Sequence, residues 1–268
     1  RVIDKTNIIP FLLSFLNAIP VKRPFRDNAK ELVKSGNLKN LIEENWRTIA
    51  KHIQDGKNIF LFPEGTYTYN GFVNSPRKGI YLLKEYVPEL KVINVSLSYD
   101  SLSFRKMDLH LTLGKMEIFP TELSKENISD FIRDKIAKDI VITHGNLVSF
   151  LFFQNIFREG ILLQNWKELL DCFILKLRKE KDFFISKRFD SPNSSQIANR
   201  ILEDARQSGF LVYKENKIYS TEKLLEKPET LNTEFLKKNP YLYHKNQLNY
   251  HWTKLTEIYS NCLEKILT

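Results

Sequence analysis

Two hydrophobic periods alternate along residues 1–157, and this alternation constrains the fold more than any other feature of the chain. In NLKNLIEENWRTIAKHIQDG, Leu38, Leu41, Ile42, Trp46, Ile49 and Ile53 recur at helical spacing, and Gly56 supplies a stop. NIFLF then reads as a short, fully buried strand. KGIYLLKEYV starts a further helix at Gly79. KVINVSLSYD (Lys91–Asp100) and MDLHLTLGK (Met107–Lys115) carry the period of two that marks strands. Ser124 stands as N-cap to the helix in KENISDFIRDKIAKDIV, and an apolar helix follows over Leu147–Phe157. Helices and strands in alternation predict an α/β fold, a mixed sheet flanked by helices.

After Gly160 the pattern changes. Helical stretches dominate, NWKELLDCFILKLRKE and SPNSSQIANRILEDARQSG, followed by a hairpin in FLVYKENKIYS that turns at Glu215–Asn216. The end of the chain, Thr233–Thr268, reads as helical and aromatic. The organisation predicted is an α/β domain over 1–157, incomplete at its amino end, and a mainly helical region over 158–268. The chain opens on Arg1 and runs at once into folded-looking sequence, so sequence ahead of Arg1 is expected.

Composition narrows the function classes. With 42% hydrophobic residues in 268, the chain can bury one large core or two modest ones. Cys172 and Cys262 are too far apart to read as a disulfide framework, which predicts free thiols in a reducing compartment. Neither sits with histidine in a zinc pattern. A net charge of +9 favours anionic partners: nucleic acid, acidic headgroups or phosphorylated small molecules. No stretch reaches the ~18 apolar residues that span a bilayer. The most apolar one, IIPFLLSFLNAIPV (Ile8–Val21), is cut by two prolines and fits either a membrane surface or a core.

The sharpest local feature is IFLFPEGT, an apolar run that turns through Pro63, Glu64 and Gly65. Glycine lets backbone N–H groups approach a ligand, and one carboxylate stands at the corner. Arg23 offers permanently charged, bidentate contacts to a phosphate. Thr66 beside the corner and Lys78 at a helix start can meet the same phosphate. The structural alternatives are an ordinary turn for Glu64, a cap for Thr66 and a plain helix start for Lys78.

FPEGT after a short apolar strand resembles the third conserved block of the glycerolipid acyltransferases. LNAIPVKRPF (Leu16–Phe25) stands where the second block belongs and resembles it in ending an apolar run with Arg. VINVSLSYD (Val92–Asp100) is similar to the fourth block of the glycerol-3-phosphate branch. NPYLYHKNQLNYHW (Asn239–Trp252) is similar to the YYRN…H element near the end of that branch. The resemblance implies transfer of an acyl group from a thioester, on coenzyme A or acyl carrier protein, to the sn-1 hydroxyl of glycerol 3-phosphate. It implies no cofactor, and peripheral association with the cytoplasmic face of the cell membrane. Arg23, Glu64, Gly65, Thr66 and Lys78 are the implied acceptor-binding residues. Lysophosphatidate or dihydroxyacetone phosphate is the alternative acceptor.

The chain departs from the family in two places. The family's first block, His-x4-Asp, supplies the catalytic base, and none of the five histidines has Asp five residues on. The resemblance therefore places the base ahead of Arg1 and no catalytic residue in this chain; a catalytically silent relative is the other reading. Arg usually follows the Glu-Gly pair, where GTYTYNG offers Tyr67 and Tyr69. A third reading, nucleic-acid binding, rests on helix Ser194–Ser208 with the following hairpin as a wing. That helix offers Arg200 and Arg206 against Glu203 and Asp204, too little charge to neutralise phosphates, so no nucleic-acid partner is expected.

Overall fold

A computed structural model describes residues 36–65, 68–77, 79–103, 107–228 and 235–267. Arg23, Thr66 and Lys78, and the Ile8–Val21 stretch, lie outside these residues. The chain is mixed α/β, with helices, small sheets and a C-terminal helix. It divides into two compact units. One comprises Arg1–Pro63, Arg77–Leu90 and Ile118–Glu126; the other comprises Glu64–Pro76, Lys91–Glu117 and Asn127–Thr268, so Gly160 lies inside the second.

In the first unit, α1 (Leu38–Gln54) follows the helical stripe of the sequence and ends before Gly56, whose φ of +80° suits glycine. It packs against α2 (Ile80–Tyr86). Gly79, at the start of α2, lies under the Trp46 ring, where a Cβ would come within 2.5 Å. Gln54 Nε2 donates to Tyr86 O at 3.0 Å, and Ile49, Ala50 and Leu83 are buried. The predicted buried strand in NIFLF is corrected here. Ile59–Phe62 forms no strand, and Phe60 and Phe62 are exposed, their rings edge to face at 5.0 Å. Hydrophobicity alone did not supply a sheet partner: the next described backbone bond runs from Arg77 N to Pro63 O, 2.8 Å.

The second unit holds β1 (Lys91–Asp100) and β2 (Asp108–Ile118), a two-stranded sheet backed by α3 (Ile128–Lys138). Its polar side chains turn inward. Asn94 Nδ2 donates to Lys135 O (3.1 Å) and Asp139 Oδ2 (2.6 Å), and Ser96 Oγ donates to Ile136 O (2.8 Å). The Lys135 and Ile136 carbonyls lie in the last turn of α3, so these bonds tie β1 to that helix end. Ser98 Oγ accepts from Val141 N at 2.9 Å.

The core is built around α4 (His144–Phe152), every residue of which is buried. A capping box starts it: Thr143 Oγ1 accepts from Asn146 N, and Asn146 Oδ1 accepts from Thr143 N at 3.1 Å. Around it lie α5 (Asn155–Glu159), α6 (Leu163–Leu177), α7 (Ser194–Gln207), the short helices α8 (Glu222–Leu225) and α9 (Phe235–Lys238), then α10 (Pro240–Gln247) and α11 (Trp252–Leu267). Two strands, β3 (Val141–Ile142) and β5 (Phe184–Ile185), pair in parallel. A three-stranded sheet orders β4 (Ile161–Leu162), β7 (Lys217–Ser220) and β6 (Leu211–Lys214). The β6–β7 turn is at Glu215 and Asn216, both with positive φ, as a tight hairpin requires. Beside it on α7, Arg206 is taken up by Glu203 and by the Tyr213 ring.

The cysteine expectation is overturned. Cys172 on α6 and Cys262 on α11 form a disulfide, with Cα atoms 5.8 Å apart. Ninety residues separate them in sequence, but antiparallel packing of two helices brings them together, and their pairing removes that ground for a reducing compartment.

Candidate functional site

Three stretches far apart in sequence meet within the second unit: the loop Glu64–Pro76, the end of β1 and α10. The chain turns at Pro63–Glu64, and Gly65 takes a φ of +67°. Glu64 is half-buried, and its Oε2 accepts from Asn74 N at 2.8 Å. Burial pushes its carboxyl upward and outweighs that hydrogen bond. Further along, Asn70 O accepts from Asn246 Nδ2 on α10 at 2.9 Å. Gly71, at φ +85°, passes so close to α10 that a Cβ would collide with the Tyr243 carbonyl. The Tyr243 phenol is pushed upward by burial, then by Tyr99 and Glu64, so both acidic groups lie within its electrostatic reach.

At the end of β1, Asp100 is buried and surrounded by donors. Its Oδ1 accepts from Leu102 N and Ser103 N, each at 2.9 Å. Its Oδ2 accepts from Ser103 Oγ and from Gly145 N, the latter at 3.0 Å. Burial works against the charge, but His244 and these donors outweigh it and hold the carboxyl down at about 2. His244 makes the largest downward contribution, followed by the Ser103 hydrogen bonds, while burial pushes the His244 imidazole itself downward.

His244 is oriented from both sides. Ser101 N–H (3.3 Å) and the Ser101 hydroxyl (3.0 Å) both point at Nε2, which therefore bears the lone pair. Nδ1–H then donates to Gln247 Oε1 at 3.0 Å. Asn146 Nδ2 fixes that glutamine, donating to Gln247 Oε1 (2.8 Å) and to His244 O (3.0 Å). The network locks the strand end to α10 and α4 with its polar groups paired. Its chemistry is that of a rigid support: an Asp100 carboxyl held low, an imidazole pushed downward by burial, and, at the corner, a carboxyl pushed upward.

Of the residues expected to bind acceptor, Glu64 and Gly65 stand at the corner; Arg23, Thr66 and Lys78 are outside the described residues. Asp100, His244, Asn146, Gln247 and Ser101 were not singled out for a site. The available signal was Asn146, one of three polar residues with His144 and Ser149 in the largely apolar HGNLVSFLFF, which becomes fully buried. His144 and His251 have structural settings. His144 stacks on Phe189 at 4.1 Å and bonds Ser194 Oγ at 2.8 Å; His251 meets the Phe183 ring edge-on at 5.0 Å. Among the described residues, no group of three or more His, Cys, Asp or Glu is placed to hold a metal, and no helix is long and apolar enough to cross a membrane.

Comparison with family models, curated proteins and solved structures finds no match to this chain.

Proposed function

We propose that this chain belongs to a glycerol-3-phosphate acyltransferase and forms the part that seats the phosphorylated acceptor. One observation carries the reading: the Glu64 corner, the Tyr99–Asp100 strand end and Tyr243–His244 lie far apart in sequence and lie together in one compact unit. These are three of the four stretches on which the acyltransferase resemblance rests.

In this reading Glu64 accepts a hydrogen bond from an acceptor hydroxyl, which favours the orientation that presents the other hydroxyl to the acyl thioester. Gly65 leaves room for backbone N–H groups beside the ligand. Arg23, with Thr66 and Lys78, neutralises the phosphate. The Asp100–His244 network holds the wall on which the loop rests. No His-x4-Asp base for proton removal occurs among these 268 residues, so they are expected to bind acceptor without turning it over.

The test is calorimetric titration of glycerol 3-phosphate into the chain. Saturable binding is expected at a Kd of about 1 mM or below. Glycerol alone is expected to compete poorly, and Arg23→Ala to weaken binding at least ~10-fold, the loss of a charge-assisted bidentate contact. Absence of binding to folded protein, or unchanged affinity in Arg23→Ala, would overturn the acceptor seat.

A further inference from the structure

Among the described residues, no carboxylate lies within ion-pair distance of Lys245, although that lysine is half-buried. On α10, His244 and Asn246 bond β1 and the corner loop, and Lys245 between them turns elsewhere. Its Nζ lies 4.9 Å from the centre of the Trp252 ring, at the start of α11, and 5.6 Å from that of Phe153, just past α4. Phe150 holds Trp252 in place, ring to ring at 4.8 Å. The charged neighbour that acts on Lys245 is another cation, Lys227, exposed after α8. All of these groups belong to the second unit.

Lys254 provides the comparison within that unit. It too is half-buried and stands over an aromatic ring, 5.4 Å from the centre of Phe183, but Asp182 (2.8 Å) and Glu180 (2.7 Å) clasp its ammonium. Those hydrogen bonds push its pKa upward, whereas burial, then Lys227, pushes that of Lys245 downward. The two rings beside Lys245 favour the ammonium, and burial with a like charge outweighs them. A desolvated amine next to a second cation is the setting that turns lysine from an ion-pair partner into a nucleophile.

We propose that Lys245 is a site of Nε-acylation by acyl thioesters. The ammonium gives one proton to water. Nζ then attacks the thioester carbonyl: a C–N bond forms, the C–S bond breaks, and the nitrogen's second proton leaves with the thiol. The product amide is neutral, so the step removes the charge that burial and Lys227 both oppose. The thioester is the donor class of the acyltransferase reading, but the step needs no acceptor and no acceptor seat, so the two fail separately.

The experiment is incubation of the full chain with acetyl-CoA, without glycerol 3-phosphate, with acetyl occupancy of each lysine followed over time by peptide mass spectrometry. Lys245 is expected to react at least ~10-fold faster than Lys254, and faster than the exposed Lys214. Lys227→Gln is expected to slow Lys245 about threefold and to leave Lys254 unchanged, since it removes the like charge that depresses only the former. In chain unfolded by guanidinium chloride, Lys245 is expected to lose its lead, because burial and the neighbouring charge are products of the fold. Lys245 reacting no faster than Lys254 or Lys214, a rate unchanged by Lys227→Gln, or a lead that persists in the unfolded chain would overturn the assignment.

Discussion

At the scale of single residues, the association of the corner loop with α10 turns on Gly71. Its φ of +85° is strained for any residue with a Cβ, and the added carbon would meet the Tyr243 carbonyl, a backbone group that cannot swing aside. Gly209 in the same unit is the control: its φ is +75°, and nothing lies within 4 Å of where its Cβ would be. Gly209→Ala is expected to cost only the backbone strain, about 1 kcal/mol. Gly71→Ala adds the collision and is expected to cost about 3 kcal/mol, and to weaken glycerol 3-phosphate binding by displacing the loop. Urea denaturation of the two variants checks this. Equal costs would mean that the loop is not seated on α10.

Among elements, α6 and α11 are held by the Cys172–Cys262 bond as well as by packing, and the bond closes a long segment of chain. Closing a loop of this size removes denatured-state entropy worth up to about 4–5 kcal/mol, of which native disulfides typically return ~2–4. Reduction, or Cys172→Ala/Cys262→Ala, is therefore expected to lower unfolding free energy by ~2–4 kcal/mol. A midpoint indifferent to reductant would show that the bond contributes nothing. The elements themselves were largely legible from the sequence: the α1 stripe ending before Gly56, both long strands, α7, and the hairpin turning at Glu215–Asn216. These depend on local period and turn chemistry, which a sequence displays. What was not legible depended on partners. NIFLF has the apolar content of a strand, but a strand also needs a neighbour to bond. Alternation in β2 identified a strand without saying which side is covered. That was decided by hydrogen bonds from Asn94 and Ser96 to the end of α3, between residues about 40 apart. The Asp100–His244 support was equally hidden, because its members come from three places in the chain and none forms a motif by spacing.

For the whole molecule, the buried histidines set the response to acid. Burial holds His144 and His251 down at about 4, and it depresses His244 as well. Around His144, Asp100 pulls upward while Arg188 and Arg178 push down; around His251, the Ala137 and Lys138 backbone groups and Asp139 pull upward while Lys138 pushes down. In the unfolded chain each histidine returns to about 6.5. A depressed folded pKa means that the unfolded chain binds more protons, so the stabilisation is fully present above 6.5 and is lost as pH falls through about 4. Moving one histidine across that interval is worth roughly 3 kcal/mol. Asp100 acts lower, its contribution complete above 3.8 and lost only as pH falls through about 2. Glu64 has the opposite sign: its raised carboxyl favours the fold below 4.5 and loses that contribution as pH rises through its folded value, a single half-buried group against three histidines. The urea midpoint is therefore expected to hold steady above pH 7 and to fall steeply between pH 6.5 and 4, before the carboxylate supports begin to titrate. Replacing His251 by Gln is expected to make that fall shallower. A midpoint flat from pH 7 to 4.5 would mean that these rings are charged or solvated in the folded chain, and the wall behind the corner loop would lose the neutral, desolvated character on which its rigidity depends.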